Sequence, residues 1–174
     1  RGMLAGVLRD WVQETWSAAE FRRLMVIEAL FRGGWRNRDA WERFELRDEA
    51  AVAGLKFRAL KRMRALTAER DKTGVLTNLW GGDEAEPRVG FDVAEVWKEA
   101  RVSCPARHWL ARSLAGTLAA DPDGGPAGFV AFHVDELGCD NCQANRDDLA
   151  RQDEGELDAL LEGVRASNLA LLRS

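Results

Sequence analysis

Long apolar runs are missing from this 174-residue chain, and so is most of the sulfur. The longest uncharged stretches fall far short of the roughly 20 apolar residues that cross a bilayer, and no basic-then-apolar segment opens the chain. A cytoplasmic protein with no membrane partner is therefore expected. Cysteine occurs three times, an odd count that suits reduced thiols available to a metal better than a secreted disulfide framework. The Val/Ile/Thr alternation of strands is nearly absent and helical periodicity takes its place, so the expected fold class is all-α. No acid/base pair, Ser-His-Asp set or Gly-rich phosphate loop accompanies the densest group of ligand-type residues, and no catalysis is expected. Arg1 rather than Met opens the chain, which reads as a piece of something longer.

Charge is present in quantity and unevenly placed. Residues 1–66 hold 14 Lys and Arg against 9 Asp and Glu, net +5, whereas residues 67–174 hold 11 against 20, net −9. Such asymmetry points to a first part that meets a polyanion or acidic partner and a second part able to lie against it. Two solvated surfaces of opposite sign read equally well. Punctuation marks the seam: TAERDKTGVLTNLWGGDEAEPRVG, residues 67–90, carries four glycines and a proline and reads as linker, expected to extend to residue 94. ADPDGGPAG, residues 120–128, reads as a loop. The expected organisation is a helical module over 1–66, a linker over 67–94, a second helical module over 95–150 and an amphipathic helix over 151–174.

In the first module Phe21, Leu24, Met25, Ile27 and Leu30 form a stripe at helical spacing, which Gly33 and Gly34 end. WRNRDAWERFEL then sets Trp35, Ala40, Trp41 and Phe44 to one side. After a short turn, DEAAVAGLKFRALKRMRAL puts Val52, Leu55, Ala59, Leu60 and Met63 on one face and Lys56, Arg58, Lys61, Arg62 and Arg64 over much of the rest. A helix, a tight turn and a basic helix are what a helix-turn-helix presents to the major groove, with Lys and Arg on phosphates fixing its position. The candidate DNA contacts are Arg47, Lys56, Arg58, Lys61 and Arg62. A plain helical hairpin fits the same pattern.

FHVDELGCDNC, residues 132–142, holds two of the three cysteines and one of the two histidines. Cys139 and Cys142 present two thiols from one turn, and His133 precedes them by one helical segment. Structural zinc takes four ligands, commonly three Cys and one His, and Cys104 in RVSCPARH is the remaining cysteine. A loop returns the helix after Cys104 toward His133, so a site of Cys104, His133, Cys139 and Cys142 is sterically reasonable. With four protein ligands such a zinc has no position for water and is structural. His108 is a competing fourth ligand, and a CxxC disulfide or simple buried thiols are alternatives. No thioredoxin-like strand pattern surrounds CDNC. The final segment carries Leu149, Leu157, Leu160, Leu161, Val164, Leu169 and Leu172 in helical register, to pack on its own domain or to dock as a helix in a groove.

The run from Phe21 to Arg64, with Gly34, Ala40, Trp41, Phe44, Leu46, Val52 and the ending RALKRMR, resembles the promoter-recognition region of extracytoplasmic-function sigma factors. The resemblance implies a helix-turn-helix that reads promoter DNA and touches RNA polymerase. The turn carries one extra residue, and Glu45 stands where the family has a small glycine. SCP, LxxSLxGTL and FHxDxLGCxxC, over residues 95–150, resemble the zinc-binding domain of anti-sigma factors, and more closely a C-terminal extension found on some sigma-like proteins. Five residues rather than three separate His133 from Cys139. The combination implies a transcription regulator whose zinc module holds or releases the DNA-binding one, by contact between the modules or with another regulator. The alternative is an anti-sigma-like protein-interaction module with a vestigial helix-turn-helix that binds no DNA.

Overall fold

The computed structural model describes residues 1–72, 74, 92–119, 121 and 124–171, with the side chains of 153, 154, 157, 158, 160 and 163–171 outside that description. Among the described residues there are eight α-helices and no strand, in agreement with the all-α expectation. They are α1 (Gly2–Ser17), α2 (Phe21–Phe31), α3 (Asn37–Arg43), α4 (Glu49–Arg70), α5 (Val93–Glu99), α6 (Arg107–Leu114), α7 (Gly125–Ala131) and α8 (Asp140–Leu171).

Local signals mark several of the helix ends. Asp48 takes an extended backbone and its carboxylate accepts from Ala51 N at 2.7 Å, capping α4. Asp92 does the same for α5, accepting from Ala94 N at 2.8 Å. Gly34, at φ +68°, turns the chain out of α2 in a conformation that side chains with a Cβ resist. Between α3 and α4 the same left-handed conformation falls to Glu45, at φ +49°, the position where the sigma-factor pattern has glycine. Holding a non-glycine residue there costs about 1–2 kcal/mol, while glycine would add about 0.4–1 kcal/mol of unfolded-state entropy. Glu45→Gly is accordingly expected to raise stability by about 0.5 kcal/mol in a urea titration; a loss would mean that the side chain stabilises the turn.

Three boundaries differ from those read in the sequence. α4 runs to Arg70, so residues 67–70 are helix and not linker; residues 73 and 75–91 of that expected linker lie outside the described residues. The expected loop at 120–128 yields to α7 from Gly125, because Pro126 falls in the first turn, where its missing N–H and fixed φ suit a helix. The final helix does not begin near 151: α8 is continuous from Asp140 to Leu171. Of its leucine stripe, Leu149 is half-buried and Leu161 is exposed, while the side chains of Leu157, Leu160, Val164, Leu169 and Leu172 lie outside the described residues.

α2 is the centre of the molecule. A stripe was expected, yet Leu24 through Ala29 are all buried, because α1, α3 and α4 cover some faces while α5 and α7 cover others. Trp97 of α5, Phe129 of α7 and Phe132 just after it join the same apolar cluster as Leu8, Trp11, Ile27 and Met63. Phe129 meets Trp16 edge-on at 5.3 Å, and Phe132 meets Trp35 and Phe44 at 5.9 and 5.4 Å. Ion pairs also join the two segments: Arg1 to Glu95 and Glu99 at 3.0 and 3.3 Å, and Arg43 to Glu136. These charges are largely exposed and contribute about 0–1 kcal/mol each, against about 1.5–3 kcal/mol for each fully buried large apolar side chain. Burial on α2, rather than the charge asymmetry, holds the segments together. The basic helix α4 packs on α1, α2 and α3.

Candidate metal centre

α7 continues into one π-helical turn, Phe132–Glu136, closed by Leu137 N donating to Phe132 O at 2.9 Å. The wider turn lets three consecutive side chains, Phe132, His133 and Val134, all be buried; π turns of this kind are frequent at functional sites. Gly138, at φ +62°, then redirects the chain so that Cys139 arrives beside His133 at the entrance to α8. The five residues between His133 and Cys139 are taken up by the π turn and this glycine. Cys142 lies one turn on, its N–H donating to Cys139 O at 2.9 Å. Gln143 Nε2 ties α8 back to the π turn through Val134 O at 2.9 Å. Cys104 comes from the turn between α5 and α6, where Arg101 is held at φ +51°.

These elements bring one donor atom each from Cys104, His133, Cys139 and Cys142 to within 4.8 Å of one another. Cys104 Sγ lies 3.7 Å from Cys139 Sγ, and Cys142 Sγ lies 3.4 Å from His133 Nε2. An ion with metal–sulfur bonds of about 2.3 Å and a metal–nitrogen bond of about 2.0 Å in tetrahedral geometry would set its ligands about 3.8 Å (S···S) and about 3.5 Å (S···N) apart. The donor spacing fits. All three cysteines are free thiols, so the disulfide alternative is not the arrangement found. His108, the competing ligand, is exposed with its ring against Trp109 and stands outside the group.

The four donors strongly perturb one another. Hydrogen bonds from Cys104 and Cys142 hold the Cys139 thiol far below the usual thiol range against the opposing effect of burial, and His133 adds to them. Cys104, in contact with Cys139 and Cys142 and itself largely buried, is pushed up and keeps its proton. Burial would lower the His133 imidazole, but Glu28 and the two neighbouring sulfurs outweigh it and raise it to about 11. Protons thus hold together a group of lone pairs that a single divalent cation would hold at once. A cleft of about 360 Å³, lined in part by Cys104, Cys139, Arg32 and Lys98, adjoins the donor group.

Four residues at the site carry no signal of their own in the spacing of cysteines and histidines. Glu28 of α2 is fully buried, with Oε1 2.6 Å from His133 Nδ1. Ser103 donates to the same oxygen while accepting from Trp97 Nε1 at 2.8 Å, and Arg32 Nε lies 3.9 Å away. The available clue was an acid inside the apolar run MVIEAL.

The candidate DNA contacts lie elsewhere, along α4. Arg58 and Lys61 are exposed and Lys56 half-buried, and among the described residues none of them forms an ion pair. Arg62 is held by Glu14 of α1 at 2.6 Å and by Glu69 at 3.1 Å. Arg47, before the helix, pairs with Asp48 at 3.0 Å. Phe57 is 57% exposed between Lys56 and Arg58. No helix among the described residues is long and apolar enough to cross a membrane.

No family model, curated protein or solved structure matches the chain. The likeness to sigma and anti-sigma factors rests on the quoted residues.

Proposed function

We propose that the chain is a non-catalytic transcription regulator of the cytoplasm, in which a structural zinc ion fastens the C-terminal segment onto a sigma-like module that binds promoter DNA and RNA polymerase. Zinc is the metal that suits three thiolates and one imidazole in tetrahedral array, and with every position filled by protein it would organise the fold and activate no water. The observation that carries the DNA-binding reading is the set of cations Lys56, Arg58 and Lys61, free of ion pairs among the described residues, on a helix that follows a tight turn. The described helices α5 and α7 of the acidic segment pack on α2.

Phosphate contacts release counterions, so three such cations correspond to a slope of about −2.7 in log K against log salt. The test is the fluorescence anisotropy of labelled promoter duplex titrated with the full chain between 50 and 200 mM salt, the concentrations being those over which this effect is ordinarily read. Lys56→Ala with Lys61→Ala is expected to weaken binding to all sequences alike and to reduce the slope by about 2. Absence of binding at the lowest salt would overturn this reading. It would favour the protein-interaction module, for which the exposed Phe57 and the ion pairs of Arg47 and Arg62 already speak.

A further inference from the structure

The metal site draws on more than its four ligands. Glu28 is a carboxylate with no exposed surface, on a helix whose other buried neighbours are Met25, Val26, Ile27 and Ala29. Taking such a charge out of water is costly unless it is paired and hydrogen-bonded. Its Oε2 has no hydrogen-bond partner, so what the charge gains is concentrated on Oε1. That oxygen meets His133 Nδ1 at 2.6 Å and the Ser103 hydroxyl, whose rotor is fixed because its oxygen accepts from Trp97 Nε1 at 2.8 Å. Arg32, itself buried, stands 3.9 Å off and donates to Leu137 O at 3.4 Å, next to the glycine that redirects the chain toward Cys139.

The two ring nitrogens of His133 therefore have separate tasks. Nδ1 faces Glu28, and Nε2 faces Cys142 and the donor group. A carboxylate on Nδ1 keeps the proton there and leaves the Nε2 lone pair for a cation; it also fixes the ring plane. We propose that Glu28 is the positioning residue of the metal centre, holding His133 in its ligating tautomer and thereby building α2, the central helix of the N-terminal segment, into the metal site. This rests on the metal reading above and goes beyond it. Metal occupancy then bears directly on the helix to which α3 and α4 are packed.

The test measures cobalt(II) and zinc affinity of the full chain by competition with a chromophoric chelator, together with the cobalt(II) absorption spectrum. Glu28→Met keeps the bulk but cannot accept from Nδ1, and is expected to weaken metal binding about a hundredfold. Glu28→Gln keeps an acceptor without the charge and should lose about tenfold, within the range found for such partners of ligating histidines. The cobalt bands should shift in both, since the nitrogen ligand is altered. In a His133→Cys background there is no imidazole to orient, and Glu28→Met should cost no further affinity. Equal losses in both backgrounds would reduce Glu28 to packing and overturn the proposal, as would unchanged affinity in Glu28→Gln, which decides the matter if Glu28→Met does not fold. A wild-type chain that binds neither metal would instead overturn the metal reading itself.

Discussion

Stripping zinc from the loaded protein with a chelator is expected to lower its melting temperature by about 8–16 °C. Free metal a thousandfold above its dissociation constant stabilises the native state by about 4 kcal/mol, and a domain of this size loses about 2–4 °C per kcal/mol. The reason lies in how little else holds the site. Around Cys139 and Cys142 a small apolar cluster holds, among the described residues, only Leu110, Val130 and Val134 fully buried, with Trp109, Leu118 and Leu149 half-covered. Cys142→Ser should reproduce the loss, and added zinc should not restore it. Differential scanning calorimetry with and without metal checks both, and elemental analysis should find one zinc per wild-type chain. A melting temperature indifferent to chelator and to Cys142→Ser would remove the metal from the account of the fold.

The helices and the convergence of Cys104, His133, Cys139 and Cys142 were legible for definite reasons. Asp48 caps α4, the apolar spacing from Phe21 marks α2, and a CxxC with a nearby His and one further Cys leaves few ways to complete a four-ligand set. What escaped depends on contacts between segments distant in sequence. Helical periodicity cannot show that α2 is covered on several faces, because residues 93–136 do much of the covering. Glu28 reads as one more polar position until His133 is placed 2.6 Å from it, 105 residues away in sequence. A proline in a helix's first turn, as Pro126 is, and a proline in a loop look alike until the following turn is seen. The basic pattern of α4 likewise does not show that Arg62 pairs with Glu14 of α1.

Phe132→Ala is expected to cost about 3–5 kcal/mol, the usual loss for a fully buried aromatic ring, and to do so for the whole chain at once. The ring belongs to the residue before His133, yet its neighbours are Trp35 and Phe44, which stand at the two ends of α3 in the N-terminal segment. Trp35 and Phe44 stack with each other at 6.3 Å, so removing Phe132 opens a cavity under the hairpin and beside the metal ligand together. A single cooperative transition should follow, displaced equally whether it is read by tryptophan fluorescence, to which Trp11, Trp16, Trp35 and Trp41 of residues 1–66 contribute four of the seven tryptophans, or by the absorption of bound cobalt(II). If residues 1–66 and 95–150 instead melted as separate bodies, the variant would move one transition and leave the other in place. Coincident displacement would mean that the metal and the hairpin of α3 and α4 stabilise each other through α2, so that any ligand gained or lost at one is felt at the other by linkage.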